Sequence, residues 1–311
     1  MPQRIIGKYI GPLPGPLIFV FGSLHGNEPA GVLAMKEVFR LLNLEPQQNP
    51  SFSFRGCLIG VRGNIQAIKA NKRFLEKDLN RQFTLSNINK VRSTEEKYLI
   101  AEDRELRAIV DLVDQEIETY QPSQVIVLDL HTTTADGGIF SIATNYEQSI
   151  NIARGMHAPV VTGLLAGIKG TTLHYFCQDN FACPIVSVTF EAGQHNDPQS
   201  AQRATAAIIN LLRSVRSVRP QDVENKHDQL LINYSDGLPA LVKLLHVQSI
   251  LPGDGFEMMP GYQNFQRVRK GEVLAKTNDG PITASQDCLI LMPLYQQQGE
   301  DGFFLVESLK D

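Results

Sequence analysis

The chain has 311 residues, with 29 lysines and arginines against 33 aspartates and glutamates, a net charge of −4. That mildly acidic balance argues against a protein that binds by broad phosphate neutralisation, so no nucleic-acid partner is expected. Hydrophobic residues make up 42% and charged residues 20%, which excludes wholesale disorder and fits a folded chain. The opening stretch MPQRIIGKYIGPLPGP carries no long apolar segment ahead of a small-residue cleavage site, so no signal peptide is read there. The longest apolar runs, LIFVF at 17–21 and VIVLDL at 125–130, are too short to span a bilayer, and a cytoplasmic protein without a membrane partner is expected. Cys57, Cys177, Cys183 and Cys288 are scattered without a C-x-x-C pair, so they read as reduced, mostly buried thiols.

In chain order, LIFVFG at 17–22 reads as a buried strand, followed by an amphipathic helix from Glu28 to Leu42 with Pro29 in its first turn. FRGCLIGV at 54–61 is a second strand. Ser93-Thr94-Glu95-Glu96 has the form of a capping box, and Tyr98, Leu99, Leu106, Ile109, Val110, Val113 and Ile117 continue a helix up to Gln121-Pro122. VIVLDL at 125–130, GIFSIAT at 138–144 and PIVSVTF at 184–190 are three further strands, and Gln199 to Val218 is a helix. Strands alternating with helices predict an α/β fold with a mostly parallel sheet covered on both faces. The character changes near Arg219-Pro220-Gln221-Asp222. From 230 onward the pattern predicts no helix, only short strands separated by Pro-Gly and Asp-Gly turns. The expected division is a catalytic α/β domain at 1–220 and a smaller all-β domain at 221–311.

Three polar signatures follow buried strands directly: His25-Gly26-Asn27-Glu28, His131 after Asp129, and Glu191. Ligands in open α/β sheets bind beyond the carboxyl ends of the strands, so these three segments share one address. His25 and Glu28 lie three residues apart at a strand-to-helix turn and can reach one ion, with His131 as the third ligand. Two imidazoles and a carboxylate leave the fourth position of a tetrahedral zinc open, as catalytic chemistry requires.

The segments HGNE (25–28), KDLNRQF (77–83), DLHTTT (129–134) and FEAGQHND (190–197) resemble the succinylglutamate desuccinylase/aspartoacylase family, whose catalytic domain is similar to zinc carboxypeptidases. The order and spacing match over residues 15–220, and the tail with GDGF, VRKGEVLA and ILMPLY resembles the family's C-terminal domain. The resemblance implies a zinc-carboxypeptidase-like mixed sheet flanked by helices, with the β-rich domain narrowing access to the site. It places one Zn2+ per chain on His25, Glu28 and His131.

The resemblance also distributes the remaining roles. Amide hydrolysis needs a base that takes a proton from water and returns it to the departing amine, and Glu191 fills that place. Arg73 would polarise the scissile carbonyl and stabilise the oxyanion. Asn80 and Arg81 would bind a substrate carboxylate, with Asp78 holding one of the arginines. Tyr295, in LMPLYQQQGED, falls near a substrate-contacting tyrosine of the family's C-terminal domain. Well-known members carry a further substrate-binding arginine shortly before the catalytic glutamate, where this chain reads Gln178-Asp179-Asn180-Phe181-Ala182-Cys183. The expected activity is removal of an acyl group from a small anionic N-acyl amino acid or similar carboxylate, by an enzyme that is a homodimer if it follows its family. A metallocarboxypeptidase acting on short peptides and a non-catalytic carboxylate-binding protein are the two alternatives.

Overall fold

The computed structural model describes residues 3–223 and 226–309. Its elements run β1 (Ile5–Ile10), β2 (Leu13–Gly22), α1 (Ala30–Gln48), β3 (Arg55–Arg62), α2 (Ile65–Ala70), α3 (Leu85–Ser93), α4 (Ala101–Tyr120), β4 (Val125–Thr133), β5 (Phe140–Ala143), α5 (Glu147–Gly155), β6 (Val160–Thr162), α6 (Thr172–Tyr175), β7 (Ile185–Gln194), α7 (Ser200–Ser214) and α8 (Lys226–Tyr234). They continue as β8 (Leu241–Ser249), β9 (Glu257–Met258), β10 (Gln266–Val268), β11 (Val273–Thr277), β12 (Gly280–Thr283), β13 (Cys288–Leu291) and β14 (Asp301–Ser308).

Strand alternation explains why the central sheet is covered on both sides. Leu17, Phe19 and Phe21 of β2 pack on one face, against Leu106, Ile109, Val110 and Val113 of α4. Ile18 and Val20 point the other way, against Ala34, Met35 and Val38 of α1 and the apolar face of α7. Each such side chain, fully buried, contributes about 1.5–3 kcal/mol. A strand buried on both faces must read as a continuous apolar run, which is what LIFVF is.

Eleven strands form one sheet in the order β1-β3-β2-β4-β7-β5-β6-β8-β14-β13-β10, and β12-β11-β9 form a second, small one. The centre, β3-β2-β4-β7, is parallel, while β5 runs antiparallel to β7. The sheet does not stop where the composition changes. β6 pairs in parallel with β8, Val160 opposite Leu241, so the C-terminal strands extend the same sheet. Phe140, Ile142 and Val161 share a core with Val242, Phe304 and Val306 across that junction.

Two elements depart from the sequence reading. The expected helix near Ser93 is divided: Thr94 closes α3, Glu96–Tyr98 is a single 3-10 turn, and α4 starts at Ala101. Helix α8 stands where no helix was expected; its one buried residue is Leu231, too little for an apolar periodicity to show. All four cysteines are free, and Cys57 alone is fully buried. No helix among the described residues is long and apolar enough to cross a membrane.

Candidate active site

The carboxyl ends of β2, β4 and β7 open on one edge of the sheet, and the polar signatures gather there. The register sets His131 of β4 opposite Glu191 of β7. The two-residue period of a strand places Asp129 on the same face as His131. After β2, the chain turns sharply through Gly26, whose amide donates to the Arg73 carbonyl at 3.1 Å. A Cβ on Gly26 would lie 2.1 Å from the Ala67 carbonyl carbon, so only glycine lets this turn approach α2.

His25, Glu28 and His131 are all buried, and their ligand atoms lie within 4.8 Å of one another. His25 Nδ1 is 2.8 Å from Glu28 Oε1, and His131 Nδ1 is 3.1 Å from Glu28 Oε2. The opposite ring nitrogens back onto buried carboxylates: His25 Nε2 is 3.1 Å from Asp78, and His131 Nε2 is 3.0 Å from Asp129. Carboxylates behind both imidazoles fix the ring orientation and turn the two Nδ1 atoms toward Glu28, where an ion would be shared, the arrangement seen around metal-ligating histidines. Burial alone would raise the Glu28 carboxyl, but the facing imidazoles hold it well below the usual carboxylate range. Burial alone would lower His131, and the carboxylates of Asp129 and Glu28 instead raise it well above the usual imidazole range. A carboxylate that stays ionised between two nitrogen donors is a fit place for a divalent cation.

Glu191 is 7% exposed, and its Oε2 has no hydrogen-bond partner. Burial pushes its carboxyl up to about 8, against the pull of His131. A buried, unpartnered carboxylate beside a candidate ion site is equipped to carry a proton.

Asp78 joins the ligands to the basic residues. Its Oδ1 accepts from the Asn80 amide at 2.8 Å, and its Oδ2 accepts from Arg73 Nε and Nη2 at 3.1 and 2.9 Å. Burial would raise its carboxyl, but Arg73 and His25 hold it well below the usual range. Of the two arginines, therefore, Asp78 grips Arg73, whose Nη1 also lies 3.7 Å from Glu28. The loop carrying Arg73 hangs on Glu102, a fully buried carboxylate accepting from the amides of Leu75 and Glu76 at 2.7 and 3.1 Å.

Of the other expected substrate contacts, Asn80 and Arg81 line the cavity and Tyr295 does not. Asn80 is buried with both ends engaged: Nδ2 is 3.2 Å from His131 Nε2, and Oδ1 accepts from the Thr172 amide at 3.0 Å. Arg81 donates to the Asn80 carbonyl at 2.8 Å and pairs with Asp301 of β14. Tyr295 turns away from the cavity, its hydroxyl held by the Tyr262 amide at 2.8 Å and the Met259 carbonyl at 3.0 Å. Its neighbour Gln296 lines the cavity instead and accepts from Asn27 Nδ2 at 3.1 Å. The segment following β13 thus lies over the site, with Gln298 donating to the Phe74 carbonyl at 3.3 Å. His195 also lines the cavity, with Nδ1 2.6 Å from the Thr132 hydroxyl. Its position four residues after Glu191 is the available signal.

A protein of Rattus norvegicus named "N-acyl-aromatic-L-amino acid amidohydrolase (carboxylate-forming)" is 33% identical over 145 residues, which cover 45% of this chain and 42% of that protein. A "Probable aspartoacylase" of Nostoc sp. is 31% identical over 130 residues, covering 42% of this chain and 40% of the relative. The chain thus matches less than half the length of these relatives. The solved structure of a succinylglutamate desuccinylase from Vibrio parahaemolyticus shares the fold over 96% of this chain and 82% of that one, with a TM-score of 0.66 at 18% identity. Residues 14–215 match the model of the succinylglutamate desuccinylase/aspartoacylase catalytic domain, and the chain belongs to that family.

Proposed function

We propose that the protein is a zinc-dependent hydrolase that removes the acyl group from a small N-acyl amino acid or similar carboxylate. The observation that carries this reading is the pairing of two kinds of group at one sheet edge. His25, Glu28 and His131 form a braced ligand set, and Glu191 beside them holds an unpartnered carboxylate oxygen. A protein that only binds carboxylates has no use for a buried base. Family membership and the named activities of the two sequence relatives point the same way.

His25 Nδ1, His131 Nδ1 and a Glu28 oxygen would hold the ion. When bound, zinc polarises the scissile carbonyl and lowers the pKa of water to about 7. Glu191 takes the proton of the attacking water at its free Oε2 and returns it to the departing amine nitrogen. Arg73, fixed by Asp78, presents its guanidinium toward the carbonyl oxygen and stabilises the negative charge that develops there. Asp78 and Asp129 keep the imidazoles in one tautomer. The segment 292–300, lying across the edge, limits the room for a peptide chain preceding the scissile bond, which favours small substrates over oligopeptides.

The test is a panel of N-acyl amino acids assayed beside di- and tripeptides with zinc-loaded protein. Turnover of the acyl amino acids, with one zinc per chain lost in His131→Ala, is the expected result. Preference for tripeptides would make the protein a carboxypeptidase, and ligand-induced stabilisation without turnover would make it a binding protein.

A further inference from the structure

The two side chains expected to take a substrate carboxylate are both engaged by the protein itself. The Asn80 amide is held at one end by His131 Nε2 and at the other by the Thr172 amide. Arg81 pairs with Asp301, whose side chain is only 12% exposed. Asp301 opens β14 and pairs with Ser249 of β8, so the sheet sets its position. Glu300, next in sequence, also lines the cavity. A substrate carboxylate aimed at Arg81 would therefore meet two acids.

Two nitrogens of cavity-lining residues are buried and have no hydrogen-bond partner, His195 Nε2 and Gln296 Nε2. The turn that carries His195 is pinned on both sides. The His195 amide donates to the Thr133 carbonyl at 2.9 Å, and the fully buried Arg203 donates to the Ala192 carbonyl at 2.8 Å and to Asp197 at 2.5 Å. Thr132 is buried too, and among the described residues its hydroxyl has no partner but His195 Nδ1, at 2.6 Å. A buried hydroxyl hydrogen needs an acceptor, so Thr132 donates to Nδ1 and the imidazole proton sits on Nε2. Burial lowers the ring's affinity for a second proton, which keeps His195 a neutral donor. In Gln296, Oε1 accepts from Asn27 Nδ2 at 3.1 Å, and the Nε2 donor of the same amide is left over.

We propose that His195 Nε2 and Gln296 Nε2, in place of Arg81, receive the carboxylate of the N-acyl amino acid. This rests on the hydrolase reading and deepens it by naming the contact that holds the amino-acid half of the substrate. Both donors are uncharged, but a hydrogen bond to an ionised oxygen in a site shielded from water is a strong one, so the pair holds a carboxylate without a guanidinium. The ion and Arg73 are left to the scissile carbonyl. The carboxylate keeps its charge throughout the reaction, so its contacts hold substrate and transition state alike, and losing one shows in KM rather than in kcat.

The test sets two acyl amino acids against the same molecules without the carboxylate: N-acetyl-alanine against N-ethylacetamide, and N-acetyl-leucine against N-isopentylacetamide. In zinc-loaded protein, His195→Asn keeps a polar group at the Nδ1 position and removes Nε2. It is expected to raise KM for the two acids by about tenfold or more with kcat little changed, and to leave kcat/KM for the two amides where it was. His195→Gln carries an amide donor out to the Nε2 position and is expected to recover most of that loss. Gln296→Glu, in a segment without regular structure, sets a negative charge against the carboxylate and gives the same pattern should His195→Asn not fold. Calorimetric binding of the four compounds to zinc-loaded Glu191→Gln, with and without His195→Asn, reads recognition apart from turnover. Binding of the acids that His195→Asn removes, without turnover in wild type, supports the contact and sinks the hydrolase reading. Turnover in which His195→Asn costs acids and amides equally, costs the acids nothing, or is not recovered in His195→Gln overturns the contact and leaves the hydrolase standing. Neither binding nor turnover of either acid overturns both.

Discussion

Replacing Glu191 by glutamine separates two consequences of burying a carboxylate at this place. The side chain keeps its shape and loses its charge. In the metal-free protein, burial raises the Glu191 carboxyl from 4.5 to about 8. Between those two values the folded state holds a proton that the unfolded state has released, so stability falls as pH rises through the window and levels off above it. A tenfold difference in proton affinity between the two states is worth about 1.4 kcal/mol, so wild type should lose about 3 kcal/mol relative to Glu191→Gln between pH 5 and pH 8. Urea unfolding of both proteins in chelator, at those two pH values, measures the difference directly. In the zinc-loaded enzyme the same substitution removes the proton carrier, and kcat should fall by about a thousandfold while zinc content stays at one per chain. A variant no more stable than wild type at pH 8 would show that Glu191 is not held in an apolar setting. Undiminished turnover with zinc in place would refute the assigned base.

Other expectations follow from single contacts. Asp129 stands 3.0 Å behind His131 Nε2, so Asp129→Asn should weaken zinc binding about 10–100-fold in a chelator competition, and equal affinity would remove it from that role. Glu102→Ala strips the loop at 75–77 of its buried acceptor and should destabilise the protein by about 3 kcal/mol in urea; a loss below about 1 would mean the loop is held otherwise. Gly170 has a φ of +70°, and its Cβ would meet the Arg81 carbonyl oxygen at 2.1 Å. Gly170→Ala should therefore cost about 1–3 kcal/mol and lower kcat/KM by moving Arg81, and wild-type kinetics would contradict the geometry. Burial pushes the Cys57 thiol up to about 11, so at pH 8 only about one molecule in a thousand carries the thiolate. A thiol reagent should leave Cys57 unmodified in the native protein and reach it only after denaturation.

The parts of this fold that the sequence disclosed are those where local chemistry has one solution. A strand covered on both faces has to be apolar throughout, so β2 and β4 are visible as LIFVF and VIVLDL. The polar residues that end such strands stand out against them, which is how His25, His131 and Glu191 come into view together. What escaped depends on partners far along the chain or on weak periodicity. Ser93 and Glu96 have the spacing of a capping box, yet Glu96 pairs with Arg104 and Arg107 on the following helix instead. Tyr295 and Gln296 are one residue apart in a segment without regular structure, and nothing in the sequence says which faces inward. The pairing of Arg81 with Asp301 joins residues 220 positions apart, and only the completed sheet reveals it.

The shared hydrogen bonding of β6 and β8 bears on how the fold comes into being during synthesis. Chains emerge N-terminus first, so β2, β4 and β7 can assemble, with all three ligands, while β8 and β14 are still unmade. At that stage β6 is an open edge with unpaired backbone groups, an invitation to other chains. It closes only when β8 arrives, and the cavity gains Gln296 and Asp301 later still. The cluster of His25, Glu28 and His131 would thus stay uncovered until the last strand is laid down.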